Sequence, residues 1–393
     1  MIKRRSFLVY AGVLALNQLL SGCNSQQEMV LKVLMLQDSI PAQLLGEFRR
    51  ELKGRAKIDL DPAAQLKTIF ERLKYWKQQV KRQDAQQNWY KSLPLVGRKQ
   101  TSFADLVTLG NYWLTEAIKQ ELIQPLNVEQ LAEWNNLPQN FQELVKYDNQ
   151  VWGAPYRWGS TVIAYRRDKL EPLGLTLTDW GDLWKEELRD RLSLLDQPRE
   201  VIGLTLKKLG ESYNTRDLSK ISELEEELRE LHRQVKFYSS DTYLQPLLLG
   251  DTWAAVGWST DVIPIMQRDH RIKAVIPRSG TALWADIWVK PAAMAKESSG
   301  ETGEKLGLTE QWISFCWRWK QAEEISLLSD AVSPVLLNSQ SAPENKIPNI
   351  ISNNPLLLPE QKIIDRSEFI KPLPEDVAES YQELWKRIRL AKS

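Results

Sequence analysis

Two short stretches of the chain each place a tryptophan near an acid: Trp258 lies near Asp261, and Trp284 near Asp286. Trp284 and Asp286 are two residues apart, so on an extended strand their side chains share one face. A ring face and a carboxylate both attract an organic cation, so the pairing suits an amine better than a sugar or an acid. The same spacing is also common for a core residue beside a turn residue, and by itself it leaves the ligand role open.

The common catalytic and metal-binding patterns are missing from the sequence. It has only two histidines, His232 and His270, and neither lies near a cysteine or a second histidine, which argues against a zinc site. There is no Gly-x-Ser-x-Gly elbow, no phosphate-binding Gly-x-x-x-x-Gly-Lys and no Gly-x-Gly-x-x-Gly after a strand. We therefore expect no enzyme activity, no metal and no cofactor. A carbohydrate-active enzyme stays open as an alternative, because carboxylates and tryptophans are plentiful.

Length and charge narrow the class of protein. A chain of 393 residues is too long for one ordinary core, so we expect two domains or lobes. Its 42% apolar and 26% charged residues are typical of a soluble globular protein. The 52 basic and 51 acidic side chains nearly cancel, which argues against nucleic acid or a membrane surface as a partner attracted by bulk charge.

The first 22 residues predict an export signal. Basic residues at 3–5 precede an apolar run over 7–20, which is too short to span a bilayer comfortably. The run ends in Leu-Ser-Gly-Cys, which resembles the bacterial lipobox, so we expect Cys23 to become the lipidated first residue of the mature chain. The stretch 4–8, Arg-Arg-Ser-Phe-Leu, resembles the twin-arginine export signal. The alternative is an ordinary secretory signal with an incidental cysteine.

Hydrophobic periodicity predicts an α/β protein. Strand, helix and strand follow one another from residue 30 to residue 60, which is how an α/β domain begins. The predicted strands cover 30–36, 56–60, 103–109 and 191–195. One predicted helix begins at residue 40. The other predicted helices cover 63–82, 180–187, 198–209, 224–235, 312–320 and 375–388. Asn111 is expected to cap the helix after the third strand, and Ser222 to open a capping box.

Two prolines indicate where their segments lie in the fold. The aromatic-rich run 152–165 contains Pro155, which favours an edge or a segment crossing between lobes over a central strand. Pro198 stands at the first position of its helix, after Gln197 and before Glu200 in the first turn. This helix start is expected to face a ligand.

Blocks spread in order over residues 30–335 resemble the bacterial periplasmic polyamine-binding proteins of ABC importers, the spermidine/putrescine type. The matching blocks are Asp-Leu-Val-Thr-Leu-Gly-Asn-Tyr-Trp at 105–113, Ala-Pro-Tyr-Arg-Trp-Gly-Ser-Thr at 154–161, Leu-Leu-Asp-Gln-Pro-Arg-Glu at 194–200, 208–217, 257–259 and 280–286. The resemblance implies a two-lobe periplasmic-binding-protein-like fold of type II, with crossing hinge segments and a ligand cleft between the lobes. It implies a first lobe of 30–150 plus 287–332 and a second of 151–286 plus 333–390.

The same resemblance implies a set of ligand-binding residues. Those that match cleft positions of the family, or adjoin one, are Tyr112, Asp196, Glu200, Trp258, Trp284 and Asp286. The two tryptophans would supply ring faces, and Glu200 and Asp286 would take ammonium groups. The chain departs from the family pattern at Leu36, Ser39, Gly110 and Gln197, of which Gln197 replaces an acid beside Asp196.

These observations predict a periplasmic, membrane-anchored binding protein, monomeric and without nucleic acid as a partner. An open form would capture a polyamine-like cation, close on it and be recognised by a membrane permease. One alternative keeps the fold but binds an amino acid or another carboxylate through Arg157 or Arg199. Another is a lipoprotein that binds a protein and no small molecule.

Overall fold

The computed structural model describes residues 29–87, 103–293, 304–338 and 347–390. The predicted signal segment and Cys23 lie outside the described residues. Within those ranges, the chain forms an 11-stranded mixed sheet with helices packed against it. None of the helices in the described ranges is long and apolar enough to cross a membrane.

The strands alternate with helices along most of the chain. The strands are β1 Met29–Leu36, β2 Ala56–Ala63, β3 Leu106–Gly110, β4 Ile123–Gln124, β5 Lys146–Tyr147, β6 Gln150–Val151, β7 Ala154–Arg166, β8 Leu192–Leu194, β9 Val235–Tyr238, β10 Ala254–Trp258, β11 Ile272–Val275, β12 Ala282–Pro291 and β13 Glu368–Phe369. The α-helices are α1 Ala42–Leu52, α2 Leu66–Gln87, α3 Leu114–Lys119, α4 Gln139–Leu144, α5 Arg167–Leu170, α6 Pro198–Lys208, α7 Leu224–Gln234, α8 Gln245–Leu249, α9 Ser259–Arg268, α10 Glu304–Trp317, α11 Trp319–Leu328, α12 Asn349–Ser352, α13 Gln361–Ile364 and α14 Glu375–Leu390. The predicted α/β class is confirmed.

The sheet has two parallel parts joined by antiparallel strands. Its order is β2-β1-β3-β12-β7-β10-β8-β9. β1 is parallel to β2 and β3, and its nearly continuous apolar sequence suits a strand with neighbours on both sides. β12 and β7 run antiparallel in the middle, and β10, β8 and β9 are again parallel.

β7 is a central strand of the sheet, whereas Pro155 favoured an edge strand or a crossing between lobes. The crossing itself stays a prediction. All 13 of its residues are buried. Pro155 is opposite Ile287, directly after the register shift that separates Asp286 from Ile287 on β12. A proline has no N–H to donate to a ladder, but at such an irregularity the missing donor does not interrupt regular pairing.

Hydrophobic side chains form two core clusters. The first packs α1, α2 and α10 with β1 to β3, and the second packs α6, α7 and α14 with β8. Val335, Leu336 and Ile351 belong to the first cluster, whereas Leu384 and Ile388 of α14 belong to the second. The division into lobes at the predicted boundaries stays a prediction.

Three local predictions are wrong. Asn111 does not cap a helix, because its Oδ1 accepts a hydrogen bond of 2.9 Å from the backbone N–H of Ala285 on β12. The segment predicted as a helix after Asp179 forms two 3-10 turns, Trp180–Trp184 and Glu186–Leu188. The capping box from Ser222 is not formed: Ser222 bonds to its neighbour, and α7 begins without a side-chain cap.

Candidate functional site

The two tryptophans of the sequence motifs lie on one face of the sheet. On β7, Gly159 pairs with Trp284 of β12, and Thr161 pairs with Trp258 of β10. Directly opposed residues on antiparallel strands point to the same face, and residues two apart on one strand do so as well. Both indoles are only partly buried. The structure therefore places Trp258 and Trp284 on the same face of the sheet, on either side of β7.

Gly159 allows this arrangement. A Cβ at position 159 would lie 2.4 Å from Cζ2 of Trp284 and 2.6 Å from Oγ of Ser259. Since real Cβ atoms do not approach that closely, only glycine lets the indole of Trp284 lie against the backbone of β7. The Oγ of Ser259 also accepts a hydrogen bond from the N–H of Ser160.

Glu200 is a buried carboxylate held by neutral donors. It is 5% exposed, and both its oxygens accept from Oγ1 of Thr161, at 3.2 and 3.1 Å. The indole of Trp258 lies close enough to lower the pKa of this carboxyl. Burial raises the pKa of Glu200 to about 7, although these hydrogen bonds and the charge of Arg199 oppose the shift. A cation beside this group would restore its charged form.

Asp261 is a second acid beside Trp258, and the predicted set of site residues does not contain it. The Tyr243 hydroxyl accepts from the backbone N–H of Trp258 at 3.1 Å and donates to Oδ2 of Asp261 at 2.8 Å. Asp261 is solvent-accessible, yet the protein around it desolvates the carboxyl and raises its pKa. Tyr243 is 18 residues away from Asp261 in sequence, so their hydrogen bond could not be predicted from the sequence.

Glu200 and Asp261 share a position in their elements. Each lies in the first turn of a helix, Glu200 in α6 and Asp261 in α9. The N-terminal end of a helix carries a partial positive charge, which supports an anionic side chain there. β10 ends in Trp258, and Asp261 follows in the first turn of the next helix. This arrangement could have identified Asp261 as a candidate site residue from the sequence.

Asp286 already has a partner within the protein. Its Oδ2 accepts a hydrogen bond of 2.7 Å from Nε of Arg157, and the two side chains are 3% and 4% exposed. Burial raises the pKa of the Asp286 carboxyl, and the Arg157 guanidinium opposes that shift. The predicted role of Asp286, to take an ammonium group of a ligand, is therefore filled in this structure by a guanidinium.

The structure places the other predicted residues differently. Tyr112 is 42% exposed and is close enough to Arg199 for its hydroxyl to influence the pKa of that guanidinium. Asp196 is exposed and lies 3.9 Å from Nε of Arg389 on α14, so it is turned toward the C-terminal helix. Arg199 donates to backbone carbonyls of Tyr213 and Lys371.

We call Thr161, Glu200, Trp258, Asp261 and Trp284 the indole–acid cluster. It contains two ring faces and two carboxylates, and neither acid forms an ion pair within the described residues. Glu200 is buried without an ion-pair partner, which is unfavourable, so an organic cation that contacts the rings and this carboxylate would stabilise the cluster. Within the described residues no group of side chains suited to hold a metal ion was found.

Comparison with known proteins gives a consistent result. A family model described as "Bacterial extracellular solute-binding protein" matches residues 101–366. The spermidine/putrescine-binding periplasmic protein of Salmonella typhimurium is 28% identical over 288 residues, which cover 73% of this chain and 78% of the relative. The protein of the same name from Escherichia coli K12 is 27% identical over equal shares.

Among solved structures, the spermidine/putrescine ABC transporter substrate-binding protein PotD of Streptococcus pneumoniae superposes with a TM-score of 0.74. The match covers 92% of this chain and 99% of that protein, with 18% sequence identity. At this identity, the likeness establishes the fold: two α/β lobes of the periplasmic-binding-protein type.

Proposed function

Because the chain belongs to the family of bacterial extracellular solute-binding proteins, we propose that it captures a polyamine-like cation of the spermidine/putrescine class and delivers it to the permease of an ABC importer. Capture takes place outside the cytoplasm. Binding, and not catalysis, is the proposed activity.

The observation that carries this proposal is the environment of Glu200. The carboxylate is buried beside the indole of Trp258, and its hydrogen-bond donor, Thr161, is neutral. A protonated amine supplies the missing positive charge and contacts the ring face with an energy of about 0.5–2 kcal/mol. A neutral sugar leaves the charge uncompensated, and a carboxylate adds repulsion.

The proposal is tested by thermal denaturation of the mature chain with polyamines, amino acids and sugars, followed by calorimetric titration. Spermidine or putrescine at about 100 times its dissociation constant should add roughly 2.7 kcal/mol to the free energy of unfolding. Glu200→Gln should weaken amine binding by about tenfold or more, since it removes the charge and keeps the shape. The matched control is Glu226→Gln, which changes an exposed acid on α7.

Stabilisation by a sugar or an amino acid and by no amine would contradict the proposal. So would slow formation of a product from any bound solute, which would point to the carbohydrate-active alternative. Stabilisation by no solute at all would favour the lipoprotein that binds only another protein.

Binding of a carboxylate solute is the less favoured alternative. It needs a free cationic side chain, and the two arginines named for it from the sequence are both engaged. Arg157 forms the ion pair with Asp286, and Arg199 is tied to backbone carbonyls and to Oδ1 of Asn214.

We further propose that the two lobes comprise 30–150 plus 287–332 and 151–286 plus 333–390, and that they close on the ligand by bending along β7 and β12. Support comes from the pairing of β7, which binds β12 through its first part and β10 through its second. Tyr112 from the first lobe and Glu200 from the second then face the same ligand.

Export and anchoring are proposed from the sequence alone. Residues 1–22 would be removed, and the lipid on Cys23 would hold a monomeric protein at the membrane, after export by the twin-arginine route. Mass spectrometry of the mature N-terminus measures the lipid directly. Cys23→Ala should move the protein from the membrane fraction to the soluble fraction, and an unchanged distribution would contradict the anchor.

A further inference from the structure

Beside Trp284, the indole–acid cluster adjoins an ion pair within the chain. Arg157 on β7 is directly opposite Asp286 on β12, and its Nε donates to Oδ2 of Asp286 at 2.7 Å. The pair is nearly inaccessible to solvent. Its position two residues from Gly159 places the guanidinium on the face of the sheet that carries both indoles.

The guanidinium of Arg157 also lies near the indole of Trp284. Its Cζ is 6.0 Å from the ring centroid of Trp284, and Nη1 donates to the backbone oxygen of Ser329 at 3.2 Å. Arg157 thus contacts the indole and the carboxylate that the spacing of Trp284 and Asp286 predicts for a ligand amine. A planar guanidinium fixed by three contacts does not leave room for a second cation at the same carboxylate.

The two ends of the cluster therefore differ in charge. At one end, the carboxylate of Asp286 is compensated by Arg157. At the other end, Glu200 and Asp261 lie near Trp258, and the hydroxyls of Thr161 and Tyr243 donate hydrogen bonds to them. The charge of Arg157 also acts on Asp261, but within the described residues no cationic side chain pairs with Glu200 or Asp261, so a ligand cation can bind there.

We propose that Arg157 is a specificity-determining residue, which takes the place of one ammonium group of a longer polyamine. It restricts the ligand to short cations with one or two ammonium groups, bound between Glu200 and Asp261 over Trp258. This inference rests on the proposed function and names the members of the polyamine class that the site prefers.

The test is the preference between putrescine, a diamine, and spermidine, a triamine, measured by calorimetric titration. In the native protein, the third amine should add little, so the two dissociation constants should lie within about threefold of each other or favour putrescine. In Arg157→Met, Asp286 loses its partner and accepts an ammonium, so spermidine should gain roughly tenfold or more relative to putrescine. Arg157→Lys keeps the charge and should keep the native preference.

Two further variants control the experiment. In the double variant Arg157→Met with Asp286→Asn, no unpaired acid remains, so the gain for spermidine should disappear. A gain that persists there would mean that only space was created, which overturns the inference. Arg216→Met removes one exposed positive charge and should change neither dissociation constant.

The measurement on the native protein decides the question even if Arg157→Met does not fold. Spermidine binding more than about tenfold tighter than every diamine would overturn the inference while leaving the proposed function intact. An unchanged preference in a folded Arg157→Met would do the same. Failure of all amines to bind the native protein and Arg157→Met would overturn the proposed function and this inference together.

Discussion

Glu200 shows how one position can combine opposing electrostatic effects. Its side chain is removed from water, which favours the protonated form, whereas Thr161, Trp258 and the start of α6 favour the carboxylate. Burial is the largest effect, and the pKa rises from a usual value near 4.5 to about 7. The unliganded site is thus half-protonated near neutral pH and responds to the arrival of a cation.

This predicts opposite effects of pH on stability and on binding. The folded state keeps the Glu200 proton up to about pH 7, whereas the unfolded chain releases it near 4.5. Between those values the folded state binds more protons, so the free energy of unfolding should fall as pH rises, by roughly 3 kcal/mol in total from this group. Chemical denaturation at pH 5 and pH 8, compared with Glu200→Gln, measures the contribution.

An amine binds the carboxylate form, so its affinity should rise from pH 5 to pH 8, by up to roughly 90-fold from Glu200 alone. Calorimetric titration near pH 6, in two buffers of different ionisation enthalpy, should detect close to one proton released per ligand bound. Proton uptake on binding, or an affinity that does not change with pH, would contradict this role. Glu200→Gln should abolish the proton release.

At the residue scale the sequence predicted types of side chain better than their partners. Trp258, Trp284 and Glu200 were selected, and the structure brings them to one face of the sheet. Asp286 was selected as a ligand for an amine, but its partner Arg157 lies 129 residues away in sequence and could not be deduced from spacing. Asp196 was predicted as a ligand-binding residue because it adjoins Gln197, which replaces an acid of the family. In the structure its carboxylate lies near Arg389.

At the scale of elements, the middle of the sheet positions the site. β12, β7 and β10 carry Trp284, Gly159 and Trp258 at paired positions. The side chain of Asn111 also fixes β12, by accepting from the N–H of Ala285. Displacement of one strand would therefore separate the two indoles.

Gly159→Ala should disturb this arrangement. The added Cβ would collide with the indole of Trp284 and with Ser259, so the ring or the strand must shift. We expect a loss of about 1–3 kcal/mol in the free energy of unfolding and weaker amine binding. Urea denaturation and calorimetric titration measure both. Gly181→Ala is the matched control, since a Cβ there meets no atom within 4 Å.

Helices and strands were predicted well where the hydrophobic periodicity was strong. They were predicted poorly where a contact with a residue distant in sequence determines the local structure. The first strand, predicted over 30–36, is observed at Met29–Leu36, and the closing helix is observed at Glu375–Leu390. Pro155 was interpreted as evidence against a central strand, and that part was wrong because the register shift beside it depends on β12, more than 120 residues later. For the same reason Asn111, which binds a later strand, was taken for a helix cap.

At the scale of the whole molecule, the two ends of the sheet approach each other. Gln65 follows β2, the first strand in the sheet order, and Asp241 follows β9, the last. Nε2 of Gln65 nevertheless donates a hydrogen bond to Oδ1 of Asp241. The segments that follow the two outermost strands of the sheet therefore lie close to each other. The two-lobe class was predictable from the sequence through the resemblance, whereas this contact was not.

The contact predicts an effect on the kinetics of ligand release. Gln65 and Asp241 are both exposed, so their hydrogen bond contributes little to folding, but it exists only while the halves are together. Loss of about 0.5–1.5 kcal/mol from the closed form should speed amine dissociation roughly 2- to 10-fold, with an almost unchanged melting temperature. Stopped-flow dissociation of Gln65→Ala and Asp241→Ala measures this rate. Since both variants remove the same bond, the double variant should be no faster than either single one. Rates that multiply in the double variant would show that the two side chains act separately and that their contact does not hold the halves together.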